Sequence, residues 1–320
     1  MWKRFLTRER LPLGLAWEED GIRIIEIDHG RPGYRVKAFN FPFPDPVVET
    51  GCQAGHRLLA EFMRRIVAEN RWHKKPVVTA LPSHQVIIRN LKFPQMPRAD
   101  LHKAVVWEIS QILDGDLSAF TYDYLVAEEP APGDEQKDIS VMIAAMEREK
   151  VMAYYRLFVE AGFQLQAIDV VPLALKRALL GKGETIDGRK PVVLLDLGNC
   201  CSQLAVIDEG MLTLTRSLPY SFSGPGEHDR VPGGTAAPPH SKLLLEIKKT
   251  LDFFQAERRR QVTGIIASGR ALSPLSLQML HMDLGIQVIP GLPGRGLRLD
   301  RYPDPSYAVA MGLALKGVRD

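Results

Sequence analysis

Asp196-Leu197-Gly198-Asn199-Cys200-Cys201-Ser202 is the stretch whose residue types and spacing come nearest to a reaction site. It follows the apolar run Val192 to Leu195. A glycine just past such a strand lets backbone approach a phosphate closely, and successive turn amides form a nest for an anion. Asp196 is placed to hold a hydrated divalent cation. The bland alternative is an ordinary hairpin corner, the commoner use of Asp-x-Gly. Cys200 and Cys201 lie in the same turn and are read as small turn or core residues before they are read as a redox pair.

Other chemistry finds little support. The eight histidines show no metal-ligand spacing, so no metal site is expected. No Gly-x-Ser-x-Gly nucleophile motif and no Gly-x-x-x-x-Gly-Lys phosphate loop occurs.

The elements that must position the turn follow a repeated order. In the first half, Ile22, Ile24, Ile25 and Ile27 form a β-branched run. The turn signal Asp28-His29-Gly30 then precedes a second strand, Tyr34 to Phe39. A Pro-rich loop (41–46), a helix over 54–70, strands over 76–81 and 86–93, a helix over 100–113, strands over 122–126 and 139–146, and a helix over 147–161 closed by Gly162 follow. After residue 190 strands are expected at 192–197, 205–207 and 212–215. Residues 222–240, with four Gly and four Pro, read as a loop. Next come a helix from an N-cap at Ser241, a strand over 262–267, a helix over 275–282, a strand over 286–289 and a last helix over 307–316. An offset of 180 residues lays Ile27-Asp28-His29-Gly30 on Ile207-Asp208-Glu209-Gly210, Ala16 on Asp196 and Glu18 on Gly198. Two strand–turn–strand units therefore open the two halves, as a duplication would leave them.

Composition sets the class. With 320 residues, 45% hydrophobic, the chain can build one large domain or two ordinary ones. Its 41 basic and 38 acidic residues are too balanced to argue for nucleic acid. Local basic runs at Lys3, Arg4, Arg8 and Arg10, and at Arg258 to Arg260, read as solvated faces, or more weakly as contacts with an anionic membrane surface. No apolar run nears the ~20 residues of a spanning helix, and the first residues lack a signal-peptide core. Three cysteines make a poor disulfide framework, which points to a reducing cytoplasm.

Five segments together resemble the PilM family, the cytoplasmic actin-like proteins of type IV pilus assembly. They are Gly14-Leu15 with Ile22 to Ile27; Ala80-Leu81-Pro82 with Val86 to Pro97 and Leu101 to Gln111; Leu194 to Gly198 continuing through Ser202 and Gly210 to Pro219; Glu246 to Phe254; and Ile265 to Gly269 with Ala308 to Ala314. The resemblance spans Leu13 to Lys316. It implies an α/β fold of the actin-like, ribonuclease H-like type. Two duplicated lobes are expected at 1–175, with an inserted subdomain at about 82–150, and at 176–320. It further implies ATP bound between the lobes, with Asp196, Gly198, Glu246, Lys249 and Gly269 as the matching nucleotide-site residues. The implied partners are the cytoplasmic N-terminal tail of PilN, the PilN–PilO inner-membrane complex and the pilus motor ATPases. The implied location is cytoplasmic, peripheral at the inner face of the membrane.

Three departures bear on that nucleotide site. The family's first phosphate loop reads Gly-Leu-Asp-Ile-Gly-Ser-Ser-Ser; here it is Gly14-Leu15-Ala16-Trp17-Glu18-Glu19-Asp20. Ala16 replaces the Asp, and three carboxylates stand where phosphate oxygens would lie, repelling an anion. The adenosine loop, usually with consecutive glycines, is Ala267-Ser268-Gly269-Arg270-Ala271. The loop 222–240 stands where the family carries a small helical subdomain, so a reduced second lobe is expected. Losing two or three charge-assisted hydrogen bonds removes roughly 3–9 kcal/mol, which takes a micromolar site to millimolar or weaker. The expectation is weak or absent Mg-ATP binding, no useful hydrolysis, and a scaffold. Glu246 and Lys249 alternatively form a simple i,i+3 ion pair on an amphipathic helix. Trp107 is read as core before partner contact, and the region 82–150 as the place for a partner peptide. Two rival functions stand beside the scaffold. One is an ATPase rebuilt on Asp196, Glu246, Lys249 and Arg270. The other is an adaptor of a related secretion or DNA-uptake system.

Overall fold

The structure is a computed structural model. It describes residues 11–30, 33–44, 53–81, 85–113, 117–128, 138–181, 190–199, 201–220 and 239–316. The expected loop 222–240 lies almost entirely outside the described residues, as do Cys52, Cys200 and the basic residues before Leu11.

In chain order the strands are β1 (Leu13–Glu18), β2 (Gly21–Gly30), β3 (Gly33–Pro42), β4 (Pro76–Leu81), β5 (Ile87–Phe93), β6 (Phe120–Glu128), β7 (Ile139–Glu147), β8 (Gln164–Val170), β9 (Val192–Leu197), β10 (Ser202–Asp208), β11 (Met211–Leu218), β12 (Gly264–Ser268) and β13 (Gln287–Pro290). The helices are α1 (Gln53–Glu69), α2 (Arg98–Ile112), α3 (Arg148–Ala161), α4 (Val171–Leu179), α5 (Pro239–Arg258), α6 (Pro274–Leu284) and α7 (Ala308–Ala314).

Two five-stranded sheets share one topology. The first runs β3-β2-β1-β4-β8 and the second β11-β10-β9-β12-β13. In each, the first three strands pair antiparallel and the last two are added parallel. The 180-residue offset read in the sequence is thus the echo of two copies of one sheet. α4 and α7 lie between the sheets and share a core with both, built from Ala16, Ile25, Val78, Leu175, Leu179, Leu194, Ala205, Ile266, Ala310 and Leu313. On the outer face of the first sheet, α1 and α3 pack over Leu13, Leu15, Ile22 and Ile24. On the outer face of the second, α5 and α6 cover Val193, Leu195, Leu204 and Val206. The central strands are covered on both faces, so β9 reads Val-Val-Leu-Leu rather than alternating. This is a two-lobed, mixed α/β, actin-like arrangement of five layers. α4 runs through the border expected at 175–176.

A three-stranded sheet, β5-β7-β6, carries its own core with α2. It leans on the second lobe as well: the Asn90 side-chain amide donates to the carbonyls of Leu212 (3.1 Å) and Thr213 (2.7 Å). Two expectations need correcting here. Trp107 is 61% exposed, because the stripe Leu101, Val105, Ile109 faces the sheet and a residue two positions from Val105 points nearly the opposite way. Ser241 is not an N-cap, since α5 already begins at Pro239. Gly162 does close α3, in the left-handed conformation. Among the described residues no helix is long and apolar enough to cross a membrane.

Candidate functional site

The turn after β1 and the turn after β9 face each other across the gap between the sheets, as their equivalent places in the two copies require. Glu18, Glu19 and Asp20 come from the first turn, and Asp196, Gly198 and Cys201 from the second. The Cys201 backbone N–H donates to Glu19 Oε1 at 3.1 Å. The residue after β12 joins in: Arg270 Nη1 lies 2.5 Å from Asp20 Oδ2. Asp196 accepts a hydrogen bond from Ser268 Oγ at 2.9 Å.

Arg23, on β2, is the buried cation of this cluster. Its Nη1 donates to the Ser306 carbonyl at 2.6 Å, and its guanidinium lies 5.1 Å from the Tyr307 ring centre. The segment that leads into α7 is thereby tied to the first sheet.

Four carboxyls share the cleft with two guanidiniums, a formal balance of −4 + 2 = −2 with all ionised. The electrostatics answer to this. Burial first, then the charge of Asp196, pushes Glu18 up to about 8, with Arg23 working in the opposite direction. Burial also raises Asp196 above the ordinary carboxylate range, against the Ser268 hydrogen bond and Arg23, while Glu19 adds to the rise. Glu18 is thus protonated in much of the population at neutral pH.

The expected nucleotide residues fall into two groups. Asp196, Gly198 and Gly269 meet at the cleft. Glu246 and Lys249 pair with one another at 2.8 Å on α5. Glu246 also lies 3.9 Å from Arg216, and the Lys249 contact holds its carboxyl below the ordinary range. The i,i+3 ion pair is therefore formed. Both glycines have packing reasons of their own. A Cβ on Gly198 would sit 2.2 Å from the Cys201 carbonyl oxygen. Gly269 has φ +96°, and a Cβ there would sit 2.4 Å from the Leu197 carbonyl oxygen. Sequence reading missed Arg23, the Asp20–Arg270 pair and the Glu19 contact. The signal for them was the offset that lays Glu18 on Gly198, since copies related in this way set their turns opposite one another.

The sequence profile described as type IV pilus assembly protein PilM matches residues 14–224. The chain belongs to the PilM family. Among solved structures, a PilM–PilN type IV pilus biogenesis complex matches the family fold, with a TM-score of 0.77 and 23% identity over 97% of this chain and 99% of that one. The ethanolamine utilization protein EutJ from Carboxydothermus hydrogenoformans is more distant, with a TM-score of 0.50 and 14% identity over 95% and 89% of the two chains. No curated protein sequence matches. Membership in the PilM family makes this a type IV pilus assembly protein with an actin-like fold.

Proposed function

We propose that the protein is a PilM-type adaptor that holds the cytoplasmic tail of a PilN partner and works without turning over ATP. The carrying observation is the Cys201 N–H bonded to Glu19: the turn that would cradle a phosphate already has an anion of the chain's own. The carboxyls gathered in the cleft support the same reading, because a nucleotide triphosphate would bring further negative charge beside them. Residual affinity for Mg-ATP at Asp196 and Gly198 is weak or absent.

The PilN assignment draws on family membership and on a relative solved as a PilM–PilN complex. Through that tail the adaptor would sit at the inner face of the membrane, linked to the PilN–PilO complex and, beyond it, the pilus motor ATPases.

Two measurements test this. Calorimetric titration of Mg-ATP into the full chain is expected to show no site with a Kd near 1 μM, which corresponds to about −8 kcal/mol. A pull-down with the PilN N-terminal peptide is expected to retain the protein; no retention at tens of micromolar would count against the adaptor.

A further inference from the structure

We propose that Glu19 is a built-in occupant of the second lobe's anion turn, an autoinhibitory contact that keeps phosphates out and holds the two lobes together. The inference rests on the adaptor reading and gives it a physical cause. Backbone amides in a tight turn are phosphate donors in related architectures, and they accept any oxyanion of suitable reach. Here the Cys201 N–H is bonded to Glu19 Oε1, 182 residues away along the chain. Glu19 Oε1 also lies 3.5 Å from where a Cβ on Gly198 would be, so the carboxylate lies against the glycine corner itself.

The neighbouring residues close the contact on both sides. Asp20 pairs with Arg270, which follows Gly269 on the second lobe. Arg23 anchors the same hairpin to Ser306. One short turn of the first lobe thus carries three consecutive acids, of which two reach the second lobe by polar contacts. Glu18 precedes them at the end of β1. A phosphate entering this turn would have to displace the Glu19 carboxylate, which is tethered and present at high effective concentration.

The test is amide hydrogen exchange at Cys201 in the full-length protein, read by NMR with and without millimolar pyrophosphate. In the unaltered chain the amide is expected to be protected and unresponsive to pyrophosphate. Glu19→Ser is expected to lower that protection about 10–100-fold, the range for a hydrogen bond to a charged group, and pyrophosphate is expected to restore it. Glu19→Gln, which keeps an acceptor, should fall between the two.

Equal exchange in Glu19→Ser and the unaltered chain would overturn the proposal. Lost protection that pyrophosphate does not restore would overturn the claim that Glu19 excludes phosphate. A charge swap gives a second readout: Asp20→Arg should speed exchange at Cys201, and Asp20→Arg with Arg270→Asp should slow it again. Failure of the double variant to recover would remove the clasp from the account. Micromolar Mg-ATP binding by the unaltered chain sinks the adaptor reading whatever the Cys201 amide does, so the two failures are distinct.

Discussion

Gly312 of α7 lies directly against Ala174 of α4: a Cβ on the glycine would come within 1.8 Å of the Ala174 carbonyl oxygen. The two helices between the sheets therefore touch backbone to backbone. On its other side α7 meets β1 in the same way, with a Cβ on Gly14 reaching 1.9 Å from the Ala310 carbonyl oxygen.

Gly312→Ala tests that contact with two opposed effects. Alanine in a helix interior gains about 1 kcal/mol over glycine in propensity. Forcing a methyl into a packed backbone contact costs typically 1–3 kcal/mol, and more where neither side can yield. The clash involves main chain on both sides, so it wins. Urea denaturation is expected to show a net loss of about 2 kcal/mol or more; a stabilised variant would refute the close contact.

Arg177 holds the α4–α7 layer by charge. Its Nη2 pairs with the buried Asp169 carboxylate, and its Nε donates to the Gly312 carbonyl at 2.9 Å. Lys316 reaches the same carboxylate at 3.3 Å. Removing one partner of a buried pair costs about 3–5 kcal/mol, because the other charge is left behind. Lys316 softens that loss, so Arg177→Met is expected near the lower end. Chemical denaturation checks it, with Asp169→Asn in the Arg177→Met background recovering part of the deficit.

Glu18 sets a pH dependence of unusual sign. Its value rises from an ordinary 4.5 to about 8 in the folded chain. Between those values the folded state binds a proton that the unfolded state has released. The favourable contribution is complete below the unfolded value and is lost as pH climbs toward 8. The slope from this group is at most about 1.4 kcal/mol per pH unit. Asp196, also raised, adds in the same direction. Glu18→Gln is expected to flatten the stability profile between about pH 6 and 8, and to leave the protein more stable than the unaltered chain at about pH 9. Parallel profiles would refute it.

Trp107 is expected to matter for association and little for folding. A side chain 61% exposed, outside the Leu101, Val105, Ile109 stripe, supports a change within about 0.5 kcal/mol on Trp107→Ala. Thermal melting checks this. The PilN-tail pull-down with the same variant then tells whether the exposed ring belongs to a partner surface.

Much of this architecture was legible in the residues. The β-branched runs at Ile22 to Ile27 and Val192 to Leu197, and the matching turns Asp28-His29-Gly30 and Asp208-Glu209-Gly210, announced two copies of one unit. α4 and β8 were not read. α4 has only nine residues, with Pro172 in its first turn and its polar residues confined to Lys176 and Arg177, so too few turns are present to set a helical period. The cleft was legible in its losses and not in its contacts. Three consecutive acids at 18–20 suggested repulsion of a phosphate. That one of them accepts a hydrogen bond from Cys201 depends on a pairing 182 residues apart, which local pattern does not encode.

The meeting of Gly14 with Ala310 also governs when the protein can assemble. During synthesis the first strand leaves the ribosome 310 − 14 = 296 residues ahead of the helix that covers its inner face. At roughly 5–20 residues per second that wait lasts about 15–60 s. Until then α4 alone lines the inner surface of the first sheet, and the part that α7 will cover is open to chaperones or to a neighbouring nascent chain. Completion of the first lobe therefore waits for a helix that is made after all the strands of the second.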